Sequence, residues 1–142
     1  MQPSVPAAGA QSQRQFPEMD SARVARGALR TFFNIADAWN LDTRQAMTLL
    51  GLASRSTYFK WKKHPESAKL GPDKLERLSY IFGIYKALQE LLPKPESADQ
   101  WIHRRNTAGP FQNQSALERM LSGRVADLYV VRQHLDAQRG WS

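Results

Sequence analysis

An all-α fold is what this sequence predicts: an N-terminal helix-turn-helix bundle followed by a small helical C-terminal domain. Three observations carry that expectation. Apolar residues recur at three- and four-residue spacing between Leu29 and Leu135, the period of one helix face. Residues that start and stop helices bracket each run, among them Ser54, Pro72, Ser115, Gly51 and Gly123. Finally, residues 45–61 read as a short apolar helix, a glycine turn and a second helix with a polar, basic opening.

Residues 1–20 hold Pro3, Pro6, Gly9 and Pro17 among Gln, Ser and Ala, too few bulky apolar groups to offset the cost of ordering. They predict a disordered arm. Arg14 is its one basic residue, which gives it little hold on a polyanion. Ser21 is placed to cap a helix running to about Trp39, with Leu29, Phe32, Phe33, Ile35, Ala36 and Trp39 as its buried stripe. Arg23, Arg26 and Arg30 fall on other faces, as a solvated surface or as phosphate contacts. Asn40 and Asp42 mark the next turn, and Asp42 or Thr43 caps the helix that follows.

In that helix Ala46, Leu49 and Leu50 share a side, and Gly51 stops it because glycine takes the left-handed conformation a helix exit needs. Ser54 caps the next helix. Tyr58 and Trp61, three apart, turn inward and leave Arg55, Ser56, Thr57 and Lys60 outside, with Lys62 and Lys63 at the far end. Any αα-hairpin needs a turn glycine and two apolar stripes. Charge is what favours DNA, since no acid lies between Ala53 and Pro65. The expected DNA-binding set is therefore Ser54, Arg55, Ser56, Thr57 and Lys60 for the groove, with Lys62 and Lys63 on the phosphates.

His64-Pro65 ends this helix, and Pro72 opens a longer one in which Leu75, Leu78, Phe82, Tyr85, Leu88 and Leu92 form a stripe widened by Ile81, Ile84 and Leu91. So wide a stripe serves either an ordinary core or self-association. Pro93-Lys94-Pro95 is the expected boundary between a unit at 21–92 and one at 93–142. Beyond it come a short helix over 97–103, a loop over 104–114 and a capping box of Ser115 with Glu118. A last helix from about Arg124 to Gln138 carries Val125, Leu128, Val131 and Leu135, and Gly140 ends it.

Composition narrows the function. The chain's 142 residues carry a formal charge of +7 and a pI near 10.1, which favours polyanionic partners. Ten basic and five acidic side chains fall in the first 71 residues, against ten and eight after them, so the excess sits with the basic helix. No apolar run approaches the roughly 20 residues of a membrane span, no apolar leader opens the chain, and cysteine is absent. A cytoplasmic protein is the expectation. His64, His103 and His134 are far apart with no metal-type spacing, and no phosphate loop or nucleophile elbow occurs. No catalytic residue, metal or cofactor is therefore expected, and each histidine reads as solvent-facing or locally hydrogen-bonded.

In order and spacing, residues 31–39, Leu49-Leu50-Gly51, residues 54–57 with Trp61, residues 75–78 and residues 83–88 form one set. Residues 101–105, Asn106, Phe111, Ser115, Leu117, Leu121-Ser122-Gly123 and Arg139-Gly140 form a second. Together, over about residues 21–142, the chain resembles the Xre/MbcA/ParS antitoxins, which join a helix-turn-helix to a C-terminal toxin-binding domain. It departs from simple helix-turn-helix sequences at Met47, where a small residue is usual, and at Leu52-Ala53, which lengthens the turn. The resemblance implies an antitoxin that neutralises a cognate toxin, of the NAD-depleting RES-domain type, and binds operator DNA as a homodimer to repress its own operon. Toxin contacts are then expected from the loop, at Arg104, Arg105, Asn106 and Phe111, and from the tail, at Arg139, Gly140, Trp141 and Ser142. Trp141 either enters the partner or folds back on the core. The other functional class is a stand-alone transcriptional regulator whose C-terminal domain dimerises or senses a ligand, and a neighbouring toxin gene would separate the two. A structural adaptor without DNA binding comes third.

Overall fold

The computed structural model describes residues 17–141; of the expected arm at 1–20, residues 1–16 lie outside them and residues 17–20 are helical. Among the described residues the fold is all-α, and its one β-bridge pairs Arg105 with Ser115. The helices are α1 (Pro17–Ala38), α2 (Thr43–Leu50), α3 (Arg55–Lys63), α4 (Pro72–Leu91), α5 (Pro95–Trp101), α6 (Ala116–Met120) and α7 (Val125–Asp136). A 3-10 turn at Pro65–Ser67 follows α3, and a wider turn at Ala137–Trp141 closes the chain.

α1 begins at Pro17 and runs through Ser21, which is an interior residue and not the expected cap. Proline suits the first helical position, where its missing N–H costs nothing. The helix ends in a motif that recurs one helix later. Asn40 adopts φ 55°, its N–H donates to the Asp37 carbonyl at 3.0 Å, and the Leu41 N–H reaches back to Ala36 at 2.9 Å. After α2, Gly51 adopts φ 67°, donates to Thr48 at 3.0 Å, and Leu52 donates to Met47 at 2.9 Å. Both are Schellman closures, which satisfy carbonyls that a helix end leaves open.

α4 is the wall both halves share. Leu78, Ile81, Ile84, Ala87 and Leu88 are buried on it, and α1, α2, α5 and α7 all pack against it. Its apolar stripe is wide because it faces two layers, and α7 provides its most extensive contact. Leu75, expected in the stripe, is exposed, because the first turn of α4 borders an open groove with Val24 and Phe82. Close approach to α7 depends on Gly83: a Cβ there would collide with the Arg132 guanidinium, which lies across α4 and donates to the Ser79 carbonyl at 3.2 Å.

The break at Pro93 is short. α5 starts at Pro95, two residues before the expected start, with proline again at the first helical position. Gln89 on α4 donates to Asp99 on α5 at 3.3 Å, and His103 Nε2–H donates to the Trp39 carbonyl at the end of α1 at 2.7 Å. This histidine bond is long-range rather than local. Trp39, Phe32, Ile84, Ile102, Phe111 and Val131 accordingly belong to one continuous buried cluster that runs through both halves of the chain.

Candidate nucleic-acid and partner interfaces

α3 is aimed by its ends. The Ser54 hydroxyl accepts from the Thr57 N–H at 3.2 Å, and the Thr57 hydroxyl donates to Ser54 at 3.1 Å, so these two side chains fix the first turn. Tyr58 and Trp61 are buried, as their spacing required. The turn before α3 is braced from α4: Lys74 Nζ donates to the Gly51 carbonyl at 2.9 Å. Arg77, itself held by Asp73 at 3.0 Å, lies where a Gly51 side chain would sit.

The exposed face of α3 carries Arg55, Ser56, Phe59, Lys60 and Lys63, positions that recur at one-turn spacing. Lys62 leans away, its ammonium 5.8 Å from the Phe33 ring on α1. Among the described residues none of Arg55, Lys60, Lys62 or Lys63 has an acidic partner within salt-bridge distance, so their charges are open to an incoming polyanion. Phe59 was not expected on this face. It is 45% exposed, with the Arg55 guanidinium 5.6 Å from its ring centre. Its inward neighbours in sequence, Tyr58 and Trp61, already satisfied the apolar pattern, and that surplus aromatic was the available signal.

Of the second set of expected contacts, Asn106 alone among the described residues lines the main cleft of this half. Leu91 of α4, Trp101 of α5, Asn106 of the loop, His134 of α7 and Gln138 of the closing turn line a hollow of about 370 Å³. Loop residues Asn106 and Ala108 thus face Gln138, which precedes the expected tail contacts, while Arg139 borders a separate hollow with Glu90 and Leu91. Arg104 and Arg105 are exposed, outside the lining of the cleft. Asn106 is half-buried: its side-chain oxygen accepts from the Ala108 N–H at 2.9 Å, and its backbone bonds Gln114 and Asn113, each at 3.0 Å.

Phe111 corrects the expectation of a surface contact. It is 1% exposed, with its ring 5.9 Å from Trp101 and 5.0 Å from His134. A loop this irregular needs an apolar anchor, and Phe111 is that anchor. Burial lowers the His134 pKa, favouring the neutral imidazole that stacks on Trp101. In the tail Arg139 is tied back rather than extended, bonding Glu90 on α4 at 2.5 Å and Asp136 at 3.1 Å. Gly140 takes φ 84°, and the Trp141 side chain and Ser142 lie outside the described residues.

Sequence spacing missed the knot beneath the loop. Asp127, 4% exposed, accepts from Arg119 at 2.8 Å and from the Ser122 hydroxyl at 2.5 Å, and pairs with Arg124 at 3.0 Å. Arg119 also donates to the Pro110 carbonyl. Burial pushes the Asp127 carboxyl up, but hydrogen bonds from Ser122 and Arg119 and the charges of Arg119 and Arg124 outweigh it and hold the pKa below the usual value. Asp127 sits on α7 with Val125, Leu128 and Val131, and nothing local marks it as buried.

Among the described residues no helix is long and apolar enough to cross a membrane, and no group of histidines and carboxylates is disposed to hold a metal. Comparison with known proteins divides the chain along these same surfaces. Residues 18–83 match the antitoxin Xre-like helix-turn-helix domain, and residues 87–140 match the antitoxin Xre/MbcA/ParS C-terminal toxin-binding domain. A relative from Sinorhizobium fredii, called uncharacterized protein y4oB, is 52% identical over 124 residues, covering 87% of this chain and 92% of its own length. No solved structure matches. With a helix-turn-helix and a toxin-binding domain together spanning nearly all of its described residues, the chain belongs to the Xre/MbcA/ParS family of toxin–antitoxin antitoxins.

Proposed function

We propose that this antitoxin neutralises a RES-domain, NAD-depleting toxin and, as a homodimer, binds operator DNA to repress its own operon. Residues 21–92 serve as the DNA-binding unit and 93–142 as the toxin-binding unit. On DNA, α3 enters the major groove, Arg55, Ser56 and Lys60 meet base edges, and Lys62 and Lys63 hold phosphates. Ser54 and Thr57 set the angle of that first turn. A dimer would present two such helices to a palindromic site. On the toxin, Arg104, Arg105 and the tail from Gly140 to Ser142 make contact, while Asn106, Phe111 and Arg139 hold the loop and tail in place.

The observation that carries this proposal is the pairing of an open basic helix face with a toxin-binding domain whose cleft brings Asn106 and Ala108 of the loop beside His134 and Gln138. Co-expression with the product of the adjacent gene tests it. The full chain is expected to co-purify with that protein and restore growth, and loss of residues 139–142 is expected to weaken both. Full neutralisation by a still-folded truncation would remove the tail from the interface. A neighbour that is not a RES-domain protein, or that the full chain neither binds nor neutralises, would overturn the toxin assignment.

A further inference from the structure

Phe59 stands on the outer face of α3 between Ser56, Lys60 and Lys63. Single exposed apolar side chains are common and need no function. This ring, however, is held on two sides: the edge-on Tyr58 ring lies 5.2 Å away, and the Arg55 guanidinium, one turn earlier, lies 5.6 Å from its centre. A fixed apolar ring on a groove-facing helix has one apolar group to meet in the major groove, the 5-methyl of thymine. Arginine beside it is suited to donate in pairs to guanine O6 and N7.

We infer that Phe59 is a specificity-determining residue that packs on a thymine methyl while Arg55, held against the same ring, reads a guanine within two base pairs of it. The spacing follows because 5.6 Å is less than two base-pair steps of about 3.4 Å. This rests on operator binding by α3, as proposed above, and adds the sequence feature that α3 recognises.

The test is selection of a random-sequence duplex library with the full chain, followed by anisotropy titrations in which each enriched thymine is replaced by uracil. Uracil removes the methyl and keeps every hydrogen-bonding group. One thymine next to or one pair away from an enriched guanine is expected to lose about fourfold in affinity, the value of one buried methyl group. Phe59→Ala should be indifferent to that replacement, and Phe59→Leu, which keeps an apolar contact, should retain most of the discrimination. Enrichment with no uracil penalty, or an equal penalty in wild type and Phe59→Ala, overturns this inference and leaves operator binding standing. A library with no enriched sequence overturns both.

Discussion

Two stretches of irregular backbone position the two interfaces, and they are held by different means. The turn at residues 51–54 is secured mainly from within, by a left-handed glycine, the paired bonds to Met47 and Thr48 and the Ser54 cap, with one brace from α4, the Lys74 bond to the Gly51 carbonyl. The stretch at residues 102–115 contains Gln112 and Asn113 at φ 49° and 69°, costly conformations for residues with side chains. It is tied to the rest of the chain by its own Phe111, buried against Trp101 and His134, and by Arg119, which links the Pro110 carbonyl to Asp127. A short turn can be specified mainly by the residues within and beside it. A long one needs side chains from elsewhere in the chain.

Removing the outside support should therefore do the most damage. Asp127→Ala strands the Arg119 guanidinium and the Ser122 hydroxyl, and is expected to cost about 3 kcal/mol, read as a lower urea midpoint with an unchanged slope. Acid should reveal the same interaction. Because the folded-state pKa of Asp127 is depressed, its contribution is complete above the unfolded value of about 3.9 and is lost as pH falls through the lower folded value. Asp127→Asn should flatten stability across that acidic range, and an unchanged acid limb would show that another carboxylate governs it.

A smaller loss is expected at the first turn from Gly51→Ala. Its φ of 67° strains any side chain, and the new Cβ must displace Arg77, for about 2 kcal/mol in total. Thermal melts of Gly51→Ala and the doubly substituted Gly51→Ala/Arg77→Ala chain separate backbone strain from the clash, since only the clash is relieved in the second. Smallest is Ser54→Ala, at about 1 kcal/mol for a lost helix cap. If Ser54→Ala matched Asp127→Ala in urea, the contrast between internally and externally held backbone would fail.

The same contrast explains what could be read in advance. The all-α fold, the turn at Gly51, the Ser54 and Ser115 caps and the inward Tyr58 and Trp61 all depend on residues within a few positions of one another. Local chemistry decided them, so they were legible. Phe111 looked like an exposed loop aromatic because its partners, Trp101 and His134, lie 10 and 23 positions away. His103 likewise reaches Trp39 across 64 positions. Such pairings arise only when helices are packed, and a linear pattern has no term for them. Arg139 shows the same limit: its tie to Glu90 follows from α4 lying beside the chain end.

α4 turns this packing into a mechanical property of the whole molecule. Its buried side chains belong to one cluster shared with α1 and α7, and only Leu92, Pro93 and Lys94 separate it from α5, so bending at that junction would have to open the shared core. A toxin bound at the cleft, as proposed, would then be carried at a set bearing from α3, as a load on a bracket.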